Sequence, residues 1–255
     1  MLEIQHLQKT YSGAEGPALA DFDLTIADGE FVTLIGPSGC GKTTALRIVA
    51  GLLEPSGGDV RFNGVSAFAP SREKAMVFQQ FNLFPWRTAM ANVAYGLEMQ
   101  GMGKKERMAI AAEYLELVGL GDRANHYPSQ LSGGQNQRVG LARALAIQPK
   151  LMLMDEPFGA LDALTREHLQ ALLQKICTER HLTVVFVTHS IDEAIFLSDR
   201  MVVMGELGRV IKEHIVHLER PRTNYDWRST PEYKELRAAT WSILQTEIEK
   251  NEASV

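Results

Sequence analysis

The run Phe31-Val-Thr-Leu-Ile35 leads without a break into Gly36-Pro-Ser-Gly-Cys-Gly41-Lys42-Thr43. No other stretch constrains the fold of this chain as tightly. A short, nearly all-apolar run suits a strand buried on both faces, and Thr44-Ala-Leu-Arg-Ile-Val-Ala50 beyond the loop reads as a helix. Between strand and helix, glycines let backbone N–H groups turn inward around an anion with no Cβ in the way. The helix then aims the positive end of its dipole at the same point. The spacing G-x-x-x-x-G-K-[ST] therefore predicts a phosphate-binding loop. Lys42 is expected to reach the β- and γ-phosphates of a nucleotide, and the Thr43 hydroxyl to ligate Mg²⁺. Gly36, Pro37, Ser38, Gly39, Cys40, Gly41 and Thr44 complete the expected cradle. A glycine-rich turn can also merely join a strand to a helix, but the strand–loop–helix setting favours nucleotide binding.

A second cluster follows far along the chain, at Leu151-Met-Leu-Met-Asp155-Glu156. A carboxylate at the end of a buried strand can hold Mg²⁺ through water, which is the role expected of Asp155. Glu156, directly after it, is placed to polarise a water for in-line attack on the γ-phosphate.

Around these points strands and helices alternate. Strands are expected at 2–7, 22–26, 31–35, around 60–62, at 151–154 and at 183–188, and a helix at 164–180. That order predicts an α/β fold with a largely parallel sheet. Residues 88–150 instead show helical periodicity throughout and read as a helical insert. After residue 205 the pattern weakens. Residues 219–224 read as a linker or loop, and Pro231 opens an amphipathic helix with Tyr233, Leu236, Thr240, Ile243, Leu244 and Ile248 on one face, which packs on the core or on a partner.

Composition excludes several classes. The chain has 255 residues and a net charge of −5, which gives no reason to expect a nucleic-acid partner. No apolar run reaches the roughly 20 residues needed to span a bilayer, and Met1-Leu-Glu-Ile-Gln has no leader-like character. Cys40 and Cys177 are too few for a disulfide framework or a Cys-based zinc site, which suits a reducing cytosol.

Up to this point any phosphate-loop NTPase fits, including a small kinase. Leu131-Ser-Gly-Gly-Gln135 narrows the choice, because it resembles the signature motif of ATP-binding cassette (ABC) ATPases, and further motifs follow in that family's order. The resemblance covers about residues 1–205. It implies a P-loop NTPase core with a mainly parallel sheet, an N-terminal antiparallel β portion and a helical signature-motif subdomain at about 88–150. Residues 206–255 are then a short C-terminal extension. It also implies residue roles. Tyr11 is similar to the ring that stacks on adenine, and Gln79 to the glutamine that reaches Mg²⁺ and the attacking water, with Gln80 beside it as a rival. Ser132 and Gly134 would face ATP held by a second, head-to-tail cassette. Asp162 would lie at the dimer seam, and His189 resembles the switch histidine at the γ-phosphate. Two positions depart from the family pattern: Asn136 stands where a basic residue is usual, and Ser190 follows the histidine where aspartate is common.

The apolar cluster Phe81-Asn-Leu-Phe84-Pro85-Trp86 resembles the region that receives a membrane-subunit helix in importer ATPases. With its Trp86, and with Arg220-Pro-Arg222, Pro231–Leu236 and Trp241 in the tail, the chain resembles the nitrate/sulfonate/taurine group. The implied protein is an ATP-hydrolysing importer subunit using ATP and Mg²⁺, peripheral at the cytoplasmic face of the inner membrane. Its implied partners are a second copy, permease subunits and, indirectly, an extracytoplasmic solute-binding protein. The alternatives are an exporter ATPase and a soluble, non-transport ABC ATPase.

Overall fold

The structure, a computed structural model, describes residues 1–80, 82–159, 161–223 and 226–253. Phe81 of the apolar cluster, Ala160 of the loop after Glu156 and Asn224 of the expected linker lie outside the described residues. In chain order the elements are β1 (Leu2–Thr10), β2 (Pro17–Ile26), β3 (Phe31–Ile35), α1 (Lys42–Val49), β4 (Gly57–Phe62), β5 (Val65–Ser66), β6 (Lys74–Val77), α2 (Ala89–Val93), α3 (Tyr95–Met99) and α4 (Lys104–Leu117). They continue with α5 (Gly133–Ala146), β7 (Leu151–Asp155), α6 (Ala163–Arg180), β8 (Thr183–Thr188), α7 (Ile191–Leu197), β9 (Arg200–Met204), β10 (Val210–Ile215) and α8 (Pro231–Ala253). The chain forms two compact units, residues 1–71 with 170–255, and residues 72–169.

In the first unit β2, β1, β4 and β5 form an antiparallel sheet, with Leu2 opposite both Ile26 and Phe62. Alternation at the start of β1 buries Leu2 and Ile4, and an irregularity between Ile4 and Leu7, where His6 has φ +50°, brings Leu7 to the buried face as well. The parallel layer is built differently. β3 pairs in parallel with β8 (Phe31 opposite Val184, Ile35 opposite Thr188) and with β9, and β10 closes the edge antiparallel to β9. Every residue of β3 and of β8 is buried, as their apolar character requires of strands covered on both faces.

The second unit pairs β6 with β7 in parallel, Lys74 opposite Leu151 and Val77 opposite Met154. All five residues of β7 are buried, including Asp155 at its end. Helices α2 to α5 and the first residues of α6 belong to the same unit. The buried stripe of α4 is Ala111, Tyr114 and Leu115, whereas Leu117, which belongs to the helical period by sequence, is exposed.

Residues 219–223 form a loop, and Arg222 anchors it: the residue is 1% exposed and its guanidinium donates to backbone carbonyls. Nη1 donates to Ile195 (2.6 Å), Phe196 (2.8 Å) and Ser198 (2.9 Å), and Nη2 to Leu218 (3.1 Å). Three of those carbonyls belong to the C-terminal end of α7 and the residue after it, where a cation is favoured by the helix dipole. On α8 the buried face carries Tyr233, Thr240, Leu244 and Glu247, and Ile248 is exposed. Glu247 is buried because its carboxylate pairs with Lys250 at 2.7 Å and Arg209 at 3.6 Å.

Candidate active site

In the first unit, Gly36 to Gly41 forms the loop between β3 and α1. Two glycines are fixed by their surroundings. A Cβ on Gly36 would stand 2.3 Å from the Met204 carbonyl oxygen, and one on Gly41, at φ +102°, would meet Leu19 at 2.5 Å and the Ala18 carbonyl at 2.7 Å. Only glycine lets the backbone turn there. Lys42 opens α1 and folds back over the loop, its Nζ donating to the carbonyls of Gly36 at 2.7 Å and Pro37 at 2.8 Å. An ammonium is thus held inside the ring of backbone. The first turn of α1 carries no side-chain cap, which leaves a dipole-polarised N-terminus facing the loop. Cys40 is buried within the loop, its Sγ 3.6 Å from Lys42 Nζ. Tyr11 joins the same region: its hydroxyl lies 3.1 Å from Thr44 Oγ1, and Lys9 sits over its ring.

His189 is exposed just past the end of β8. It shares a cavity of about 830 Å³ with Gly36, Pro37 and Ser38. The next residue, Ser190, caps α7, its Oγ accepting from the Glu193 amide at 3.3 Å. Serine caps a helix as well as aspartate does, so the departure at Ser190 preserves the local geometry.

The second unit places the acidic pair. Asp155 ends β7 in a buried position, and Glu156 follows with a left-handed backbone at φ +47°. Such a conformation costs a non-glycine residue free energy and concentrates at functional positions. Gln79 donates from Nε2 to Glu156 Oε2 at 3.3 Å. Ser132 caps α5 reciprocally: its Oγ accepts from the Gln135 amide, and Gln135 Oε1 accepts from the Ser132 amide. Gly134 lies in the first turn of that helix. Asn136 donates to the carbonyls of Pro128 at 3.0 Å and Leu131 at 3.3 Å, so the unusual residue ties the signature loop to its own helix. Asp162 accepts from the Thr165 amide at the start of α6, and that bond holds its carboxyl below the usual range.

The sequence offered no sign of Asn92. It is fully buried and binds the backbone of Phe84, Arg87 and Thr88, shaping the loop of the apolar cluster. Phe84 is packed against Tyr95 at 4.6 Å, whereas Trp86 stands 71% exposed.

Residues 19–159 match the family model described as ABC transporter. The chain belongs to the ABC transporter family. This ABC cassette is an ATPase, binding and hydrolysing ATP. It is 46% identical to an uncharacterized ABC transporter ATP-binding protein of Methanocaldococcus jannaschii, over 98% of this chain and 93% of the relative. The taurine import ATP-binding protein of Shigella dysenteriae is 46% identical over 83% of each chain. A bicarbonate transport ATP-binding protein of Synechococcus elongatus is 45% identical over 92% of this cassette, which spans only 36% of that relative's length. Among solved structures, a dimeric post-hydrolysis ATP-binding cassette bound to ADP and phosphate aligns with a TM-score of 0.79 at 38% identity, covering 86% of this cassette and all of that chain. Among the described residues no helix is long and apolar enough to cross a membrane.

Proposed function

We propose that this cassette is the ATPase subunit of a membrane importer for a small solute of the nitrate, bicarbonate or taurine kind. The observation that carries this reading is the pairing of a nucleotide-site glutamine with a docking surface. Gln79 touches Glu156, and a few residues on, Trp86 is presented to solvent beside the packed Phe84. An exposed aromatic on a loop held rigid by Asn92 is suited to receive an apolar helix, and a push there is transmitted to Gln79 through a short stretch of chain. The names of the relatives support an import role.

In this reading residues 1–205 are the catalytic domain, with 88–150 as its helical part, and 206–255 are an extension. The cradle of Gly36, Pro37, Ser38, Gly39, Cys40, Gly41, Thr43 and Thr44 surrounds the phosphates, which accept from the backbone N–H groups of its non-proline residues and of the α1 N-terminus. Lys42 trades its loop carbonyls for phosphate oxygens, and Tyr11 supports the adenine. The Thr43 hydroxyl, the Gln79 amide oxygen and the Asp155 carboxylate, all hard oxygen donors, would hold a Mg²⁺ ion, which would neutralise phosphate charge. Glu156 orients and deprotonates the attacking water, while Gln79 fixes the carboxylate. His189 donates to the γ-phosphate. Ser132 and Gly134 of a second, head-to-tail copy close over the nucleotide, with the capped N-terminus of α5 favouring its charge. ATP then joins the two copies and hydrolysis releases them. The cassette works at the cytoplasmic face of the inner membrane with permease subunits, served indirectly by a solute-binding protein.

The test is co-purification from detergent-solubilised membranes, with ATP, of tagged cassette carrying Glu156→Gln. A polytopic membrane protein is expected in the eluate. Recovery of ribosomal proteins, or of the cassette alone, rejects the importer reading.

A further inference from the structure

The histidine loop is fastened from the tail of the chain. Asp192, three residues beyond His189, lies in the first turn of α7. Its Oδ1 accepts a bond of 2.8 Å from the Tyr233 hydroxyl, and Arg237 Nε approaches the same oxygen at 3.3 Å. Both donors come from α8. Tyr233 is itself fixed, edge-on to the buried Trp227 at 5.0 Å, and Trp227 packs on Phe196 at the other end of α7. That other end is also held by the Arg222 guanidinium. The short helix that begins directly after His189 and Ser190 is thus gripped at both ends by residues of the extension. Arg237 lines the same cavity as His189 and Gly36 to Ser38, so α8 supplies part of its wall.

We propose that Tyr233 and Arg237 are positioning residues for ATP hydrolysis, holding His189 in place through Asp192. The inference rests on the role given to His189 above. A seven-residue helix has little stability of its own. Its start, and the histidine leading into it, are therefore set by what is bonded to it: Glu193 accepts from Thr188 Oγ1 at 2.6 Å and from Gln170 at 3.0 Å, and Asp192 offers one carboxylate oxygen to two donors that come from the extension. An ion pair that is half exposed contributes little to global stability, yet a small displacement of a group that touches the γ-phosphate lowers the rate steeply. The latch should consequently show itself in turnover and not in folding. It also makes the extension part of the catalytic apparatus: anything that binds α8 and draws Arg237 away slows hydrolysis.

The experiment measures steady-state ATPase activity and thermal unfolding for Tyr233→Phe, Arg237→Ala, Arg237→Lys and His189→Ala, and for the double variant Arg237→Ala/His189→Ala. Tyr233→Phe removes one oxygen and keeps the ring contacts, so the fold is preserved. The expected result is a kcat about tenfold lower for Tyr233→Phe and Arg237→Ala with KM for ATP unchanged, partial recovery in Arg237→Lys, and no further loss when Arg237→Ala is added to His189→Ala. Unchanged kcat in both latch variants, with His189→Ala inactive, overturns the latch and leaves the site assignment standing. Equal losses from Arg237→Ala with and without His189 show that the contact acts elsewhere and also overturn it. A fully active His189→Ala removes the assignment of the histidine and the latch with it.

Discussion

Gln79 Nε2 lies 3.3 Å from Glu156 Oε2, joining the segment that leads to the exposed Trp86 to the carboxylate proposed to handle water. Glu156 makes this bond from a left-handed backbone directly after β7. Replacing the carboxylate by an amide keeps the shape and removes the base. Glu156→Gln is expected to lower ATP turnover at least about 100-fold while ATP is still bound. Size-exclusion chromatography with ATP should then show a dimer that the unmodified cassette does not accumulate. Loss of turnover without that dimer would contradict the base role.

Arg222 sets a stability prediction. Its guanidinium is desolvated and donates to backbone carbonyls, so truncation takes a donor from Ile195 and Ser198 at the α7 end, whereas Phe196 keeps the one from Gln174 at 2.8 Å. Arg222→Ala is expected to cost about 3 kcal/mol, since each orphaned buried acceptor is expensive. A urea titration reads this as a lowered midpoint, and Arg222→Lys, which cannot fork, recovers only part of it.

The phosphate loop and the strands β3, β7 and β8 were legible in the sequence because their constraints are local. A Cβ-free turn needs glycine where it occurs, and a strand covered on both faces needs an unbroken apolar run. The fastenings of the tail were illegible for the opposite reason. Tyr233 and Arg237 are 41 and 45 positions from Asp192, and Arg222 reaches the end of α7 across 24 to 27 positions. A polar residue in a soluble helix looks the same whether it faces solvent or a distant partner. The same blindness put Ile248 on the buried face of α8: the neighbours of a helix decide which stripe is covered, and Arg209 and Lys250 made the covered residue Glu247. The resemblance put Gln79 forward with Gln80 as a rival, and the contact of Gln79 with Glu156 is visible only in the folded chain.

Gly41 shows how narrow the loop is. With φ at +102° and Leu19 only 2.5 Å from where a methyl group would stand, an alanine there is both strained and obstructed. Gly41→Ala is expected to cost roughly 1–3 kcal/mol and to weaken ATP binding at least tenfold, because the loop must shift to admit the methyl. Isothermal titration with ATP beside a thermal melt separates the two effects. Unaltered affinity would mean that this turn does not shape the phosphate cradle.

Both cysteines are closed to solvent, and burial pushes the Cys177 thiol up to about 12. At pH 8 roughly one Cys177 in ten thousand is then a thiolate, the form that reacts. The native cassette is expected to react negligibly with a disulfide reagent over minutes and to release two equivalents once unfolded. Rapid native labelling at Cys177 would show that α6 opens readily.

Trp86 provides the sharpest test of the docking surface. Phe84 is held by Tyr95, and its loop is fixed by Asn92, so the scaffold of this cluster is already satisfied within the chain. Trp86 is different: at 71% exposure its ring covers little of the protein, and removing it should change stability by no more than about 0.5 kcal/mol. If the ring is instead an anchor for a membrane-subunit helix, it is the residue from which most interface energy is lost on truncation. Trp86→Ala is therefore expected to leave the melting temperature in place and to reduce recovery of the membrane partner at least tenfold in the co-purification with Glu156→Gln. A control with Trp241→Ala, also exposed, on α8 at 58%, should retain the partner. Equal recovery from both variants would remove Trp86 from the contact and with it the structural argument for import.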